Sequence, residues 1–445
     1  MTAQTPAELR NAATRLVKKL IAAGFSAYWV GGCVRDLLLG RQPDDYDIVT
    51  SALPEEVEKL FRRTVPVGRK FGVILVIEGP FQFQIATFRA EADYQDGRHP
   101  GKVVFGDAKA DALRRDFTVN GLLYDPVSAT VQDWVDGRAD LQSKLIRTIG
   151  PAADRFGEDH LRLLRAIRFA AQLDFEIEPA TWEAVRTHAA KIQGISAERI
   201  RDELLKLFKY PHAARGLELL RSSGLLEHIL PEIAATCDCA QSPDYHPEGT
   251  VFAHLLLMLR HLPPGHDPLL PWAVLLHDIA KPVTAETEAT TGRIRFHAHE
   301  TIGADMAEVL LERLRFPRKE IDTLVHVVRH HMQFKDAPKM RKSTLRRLLL
   351  RPTFRLELEL HRLDCLGSNG QLDIHSFLSS AAAELAERPE IIPPLLTGKD
   401  LAAIGMQPGP AMGRLLAEIR EKQLQDELQT REEALSFAAR HLHPS

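Results

Sequence analysis

The stretch AYWVGGCVRDLLLGRQPDDYDIVT, Ala27–Thr50, decides how the chain is read. A short apolar run over Ser26–Val30 predicts a strand, Gly31-Gly32 a tight turn, and Cys33–Leu39 a helical turn closed by Gly40. Twelve residues after the glycine pair comes Asp45-Tyr46-Asp47. Alternate residues of a strand share a face, so the two carboxylates converge while Tyr46 points the other way. Hard oxygen donors in that arrangement suit Mg²⁺, which needs only one or two protein carboxylates when substrate phosphates complete its shell. Two such ions, about 3.5–4 Å apart, would activate an attacking hydroxyl and stabilise a leaving pyrophosphate. The turn offers backbone N–H groups to a triphosphate, with Arg35 close by. Alone, Gly-Gly is an ordinary turn and Asp-x-Asp a solvated loop. Together at this spacing they predict metal-assisted chemistry on a nucleoside triphosphate.

Outward from this stretch, the first 150 residues mix strand and helix signals. Ile74–Ile77 and Phe81–Phe88 flank Glu78-Gly79-Pro80, and Phe81, Phe83 and Ile85 alternate with Gln82 and Gln84 as in a half-buried hairpin. From Pro151 the strand signals fade and apolar residues recur at three and four; Ile302, Met306, Val309, Leu310 and Leu314 predict the buried face of one helix, ended by Pro317. Cys237–Gly249, with Pro243 and Pro247, reads as a linker, and Ser368-Asn369-Gly370 as a break before a helical tail.

At 445 residues the chain exceeds what one core usually serves. Its 57 basic and 60 acidic side chains, net charge −3, mean that any nucleic acid must be held by local basic patches. Four cysteines with one close pair, Cys237-x-Cys239, do not make a zinc site and predict free thiols in a reducing cytoplasm. The amphipathic N-terminus lacks a signal-peptide core, and no run of 18 apolar residues occurs, so no membrane role is expected.

The Ala27–Thr50 stretch resembles the class II tRNA nucleotidyltransferases and bacterial poly(A) polymerases, and three further segments agree. Arg114-Arg115-Asp116-Phe117-Thr118-Val119-Asn120 is similar to their RRDFTxN segment, which implies ribose contact through Arg115, Asp116 and Asn120. Glu158-Asp159-His160-Leu161-Arg162 is similar to their EDxxR segment, which implies that Asp159 and Arg162 act as a protein template for the incoming base. Asp93–Pro100 resembles the loop used in switching from CTP to ATP. The resemblance spans about 230 residues, through RSSGLLEHILPEI. The template has its own chemical logic. Read on one helix face, an acidic acceptor beside a guanidinium donor matches cytosine and adenine, which place an exocyclic amine next to a ring-nitrogen acceptor. Guanine and uracil reverse that order, a mismatch worth about 1–3 kcal/mol. The plain alternative is a surface i,i+3 ion pair. Arg165 and Arg168 continue the basic stripe towards the triphosphate or RNA backbone, with a solvated face as the alternative for Arg168.

The second half carries His254, His277-Asp278, His299, His331 and Asp364, nitrogen and oxygen donors suited to Ni²⁺, Co²⁺ or Mn²⁺. Their order resembles the HD phosphohydrolases. His254, His277, Asp278 and Asp364 are the principal candidates and His299 and His331 further ones; the choice between His330 and His331 stays open, and His246, His261 and His297 are set aside. PLLTGKDLAAIGMQPGPAMGRLL resembles the tail of HD-bearing members, with Lys399 beside a glycine-rich turn.

These readings combine into an α+β, polymerase-β-like head (1–150), an all-α neck with nucleotide-selecting residues (151–240), an HD domain (245–370) and a helical tail (371–445). The resemblance implies template-independent addition of CMP and AMP from CTP and ATP to the tRNA 3′ acceptor end, with two Mg²⁺ at Asp45 and Asp47. The alternatives are an A-adding enzyme and a poly(A) polymerase: Val67–Gly72 sits between the family patterns. From other classes come a protein uridylyltransferase, which should lack RRDF and EDxxR, and a non-catalytic RNA-binding module. Oligomeric state is not legible.

Overall fold

The computed structural model describes residues 5–90, 104–209, 211–243 and 246–442. The Asp93–Pro100 loop lies outside the described residues. The chain divides into two compact units, Met1–Pro231 and Glu232–Ser445, so head and neck residues share one unit.

The first unit is built on a seven-stranded mixed sheet of order β3-β4-β5-β2-β1-β6-β7. Its strands are β1 (Ala27–Val30), β2 (Asp47–Thr50), β3 (Thr64–Gly68), β4 (Val73–Glu78), β5 (Phe81–Thr87), β6 (Leu123–Asp125) and β7 (Thr130–Gln132). The expected hairpin is β4–β5, paired antiparallel from Val73 opposite Ala86 to Glu78 opposite Phe81. The helix Pro6–Ala22 turns Ala13, Leu16, Val17 and Leu20 inward, where Trp29, Ile48 and Ile85 are also buried. Beyond the sheet, Leu161–Leu173 packs against the helices Ala197–Phe208 and Ala213–Ser222. The α+β head and helical remainder agree with the sequence reading.

Among the described residues the second unit is helical, with one small hairpin, Ala285–Thr287 against Ile294–Phe296, that the sequence did not announce. Two expectations are corrected here. In the helix His299–Arg313 the buried face is Gly303, Ala304, Ala307, Leu310 and Leu311, whereas Ile302 is 40% and Val309 65% exposed. Small residues leave room for neighbouring side chains: a Cβ on Gly303 would sit 3.5 Å from the side chains of both Ile279 and Val328. Cys237–Gly249 is no free linker. Gln241 N–H donates to the Gly249 carbonyl at 2.8 Å, Ala240 bridges Thr250, and the Ser242 hydroxyl donates to the Ile294 carbonyl at 3.0 Å.

Candidate active site and metal centre

Antiparallel pairing sets Val30 opposite Asp47, which brings the Gly31-Gly32 turn alongside the carboxylates. Gly31 has φ +77°, which L side chains rarely adopt, and it opens the Gly32–Leu38 helix. Arg115 reaches the same turn: a Cβ on Gly31 would stand 3.7 Å from its Nη1. Asp45 and Asp47 lie at the surface while Tyr46 is buried edge-on to Trp29, ring centroids 4.6 Å apart; the strand begins only at Asp47, so Asp45 and Tyr46 lead into it. Crowding by protein atoms, then the Asp45 charge, raises the Asp47 carboxyl to about 6, and Arg115 opposes the rise. Carboxylates that disfavour each other's charge form a donor set that fits a divalent cation.

Behind this surface, a buried polar chain links the motifs. Arg35 donates to Asn120 Oδ1 at 2.9 Å, and Asn120 Nδ2 donates to Asp116 Oδ1 at 3.3 Å. Asp116 Oδ2 accepts from Arg165 Nε at 2.8 Å, and Arg165 lies 3.7 Å from Glu203. Burial alone would raise the Asp116 carboxyl, but the Arg165 charge and hydrogen bond hold it down to about 2. Arg35 lies beside the turn as expected, a Cβ on Gly32 standing 3.6 Å from its Nη2, but it is buried and holds Asn120. Arg115 pairs with the buried Asp111, its Nη2 2.8 Å from Oδ2, and stays partly open towards the turn.

Asp159 and Arg162 are near one another but do not pair. Asp159 stands before the Leu161–Leu173 helix, its Oδ1 accepting from Leu161 N–H at 3.0 Å and its Oδ2 from Arg199 Nη2 at 2.7 Å. Arg162 pairs with Glu158 and donates to the Arg155 carbonyl at 3.0 Å. Asp159 is extended and lies outside the helix, one residue before its N-cap His160, so the two side chains do not share a helical face. Arg168 is neither solvated nor open to phosphate: it is buried against Glu203 at 2.6 Å, with its guanidinium 4.0 Å over the Phe169 ring.

In the second unit the expected ligands converge. His254 Nε2 is 3.0 Å from Asp364 Oδ1, His277 Nε2 3.1 Å from Asp278 Oδ2, and Asp278 Oδ1 3.6 Å from His299 Nε2. His299 Nε2 and His331 Nε2 face each other at 3.2 Å. These gaps match adjacent donors in a shell with bonds of about 2.1 Å. Three rings give Nδ1–H to carbonyls, His277 to Val274, His299 to Phe296 and His331 to Val328, which leaves each Nε2 lone pair free. Buried His277 Nε2 has no hydrogen-bond partner. Burial would depress His254, yet its bonds to Asp364 and Glu248 lift it to about 10. Burial and the neighbouring His277 push His331 down to about 4, the neutral form that binds metal. His331 belongs to the cluster; His330 turns away and bonds the His326 carbonyl at 2.8 Å. His277, Asp278, His299, His331 and Asp364 line a cavity of about 880 Å³ that Lys281, Arg293, Arg295 and Lys335 also face.

The Poly A polymerase head domain family matches residues 27–147, the "Probable RNA and SrmB- binding site of polymerase A" 174–237, and the HD domain 245–366. A CCA-adding enzyme of Streptococcus thermophilus is 34% identical over 439 residues, covering 97% of this chain and 96% of that one. The chain belongs to the CCA-adding enzyme family. It is accordingly a nucleotidyltransferase with an HD domain. The CCA-adding enzyme of Streptococcus mutans is 43% identical over 234 residues, 52% of this chain and 58% of that one. A Bacillus stearothermophilus CCA-adding enzyme solved in complex with CTP aligns over 99% of this chain and 98% of its own, with TM-score 0.70 and 26% identity.

Within this CCA-adding family member, several site residues escaped the sequence reading. Glu158 was legible as an i,i+4 partner of Arg162, and Lys281, 2.7 Å from Asp278, as an i,i+3 partner. Arg199, Asp111 and Glu203 carry no local signal. His246, set aside above, lies with Glu248 and His254 in one cluster of donor atoms. Among the described residues, no helix is long and apolar enough to cross a membrane.

Proposed function

We propose that this chain adds C, C and A to the tRNA 3′ acceptor end from CTP and ATP. The observation that supports the reading is the Val30–Asp47 register, which puts the Asp47 carboxylate beside the glycine turn that Arg115 also reaches. Two Mg²⁺, when bound, supply activation of the terminal hydroxyl and neutralisation of the leaving pyrophosphate. Asp45 and Asp47 hold the metal, the turn N–H groups and Arg115 receive the triphosphate, and Asp159 with Arg162 meets the base edge. Arg165, Asp116, Asn120 and Arg35 fix that arrangement from behind. The new bond joins the tRNA 3′ oxygen to the α-phosphorus, and the bond to the β-phosphate oxygen breaks. CCA rather than poly(A) addition is supported by the similarity to proteins named CCA-adding enzymes. A cytoplasmic setting fits the four free thiols. The test supplies each NTP separately to tRNA transcripts ending in the discriminator base, in C or in CC. Stepwise C, C, A incorporation is expected; A on CC-ended tRNA alone would identify an A-adding enzyme, and A-tailing regardless of end a poly(A) polymerase.

The donor set in the second unit favours a second activity. His254, His277, Asp278 and Asp364, with His299 and His331, would hold Ni²⁺, Co²⁺ or Mn²⁺, whose bound water is acidified enough to attack a phosphate ester. Lys281 and the basic cavity wall suit a phosphomonoester or 2′,3′-cyclic phosphate at an RNA end.

A further inference from the structure

Each imidazole of the second-unit cluster needs its far nitrogen held if the near one is to face metal. His277, His299 and His331 use carbonyls three residues earlier in the chain. His254 differs: its Nδ1 faces Glu248 Oε1 at 2.9 Å, with the Gly367 carbonyl farther off at 3.3 Å. Both neighbours only accept, so Nδ1 carries a proton; Asp364 also only accepts, so without metal Nε2 is protonated too and would release that proton to become a donor. The same Glu248 oxygen lies 2.9 Å from His246 Nδ1, and the His246 ring stands edge-on to His254 with centroids 4.9 Å apart. The Glu248 side chain is only 6% exposed and its Oε2 has no hydrogen-bond partner. A buried carboxylate with one bare oxygen costs stability, and calls for a reason beyond packing.

We propose that Glu248 is the positioning residue for His254, a buried carboxylate that fixes the tautomer and strengthens the ring as a metal donor, with His246 steadying its shared oxygen. The inference rests on the reading of this cluster as a divalent-metal site. His246, Glu248 and His254 do not make a separate ion site, because the protonated Nδ1 of His254 has no lone pair to give there. The backbone fixes the pair rigidly: Gln241 N–H closes the loop onto the Gly249 carbonyl at 2.8 Å, and Thr250 caps the helix that carries His254, accepting from Ala253 N–H at 3.1 Å. Gly367 completes the seat, since a Cβ there would come within 3.2 Å of the His254 ring.

The test is calorimetric titration of the full-length protein with Mn²⁺ and with Ni²⁺, comparing wild type, Glu248→Ala, Glu248→Gln and Asp278→Ala, with folding checked by circular dichroism. Glu248→Ala is expected to bind about 10–100-fold more weakly. Glu248→Gln, which keeps an acceptor but loses the charge, should fall between it and wild type. The visible spectrum of the Co²⁺-loaded protein should shift in both, a change that packing alone would not produce. A folded Glu248 variant that binds as tightly as wild type overturns the proposal; if the alanine variant does not fold, the glutamine variant decides. Wild type that binds neither metal overturns the metal reading itself, and Asp278→Ala binding like wild type would mislocate the site.

Discussion

The Asp159 carboxylate is clasped by Arg199, 2.7 Å away and 40 residues along the chain, rather than by Arg162 three residues on. The proposed base selection through Asp159 would then depend on a second helix. Arg199→Ala is expected to relax base choice as Asp159→Ala or Arg162→Ala does. Incorporation of UTP and GTP relative to CTP and ATP should rise about tenfold, equivalent to about 1.4 kcal/mol of lost discrimination. An unchanged ratio in all three variants would count against the template role.

Asp45→Ala and Asp47→Ala should each reduce nucleotide addition below a few percent of wild type while leaving tRNA affinity nearly intact, because the role proposed for these carboxylates is to hold metal rather than RNA. Primer extension with Mg²⁺ alongside a filter-binding measurement separates the two effects. Substantial activity in both variants would remove the two-metal assignment.

The Asp116–Arg165 pair predicts an acid-dependent stability. Asp116 is held down to about 2 against an ordinary value of 3.8, so the folded state binds its proton less readily than the unfolded chain. The pair's contribution, on the order of 2 kcal/mol, is complete above pH 4 and lost as pH falls through 2. Denaturant melts of wild type and Asp116→Asn should therefore converge as pH is lowered from 5 towards 2. A gap that widens with acid would contradict the sign.

Metal choice should separate the two proposed activities. Oxygen donors in the first unit favour Mg²⁺, and imidazoles in the second favour Ni²⁺, Co²⁺ or Mn²⁺. Asp278→Ala is expected to abolish hydrolysis of a 2′,3′-cyclic phosphate with Ni²⁺ or Mn²⁺, and Asp47→Ala to abolish nucleotide addition with Mg²⁺, each sparing the other reaction. A wild-type protein inert towards cyclic phosphates with every one of these metals would leave the cluster without a hydrolytic role.

Asp45 and Asp47 face outward and Tyr46 inward as the alternation predicts, although the strand itself begins only at Asp47, so the extended approach to it carries the same period of two. The HD donors were legible as residue types in order, and the structure adds which of His330 and His331 joins them. What stayed hidden depends on distant chain. Arg168 read as a possible solvated cation because Glu203, its buried partner, is 35 residues away. The face of His299–Arg313 is legible in part: Leu310 and Leu314 are buried as their spacing predicts, but Gly303, Ala304 and Ala307 pack inward where Ile302 and Val309 do not, because side-chain size alone does not mark the core. Cys237–Gly249 read as a linker from its prolines, although backbone bonds close it into a loop that delivers Glu248.

The Arg35–Asn120–Asp116–Arg165 chain also limits how such proteins can be recombined. A chimera that imports residues 111–120 from a relative inherits an Asn120 that must meet a resident Arg35, and an Asp116 that must meet a resident Arg165. Any mismatch strands a buried guanidinium or carboxylate, at about 1–3 kcal/mol or more. Segment swaps aimed at nucleotide preference should therefore carry all three stretches together, or the hybrid will lose stability before its specificity can be read.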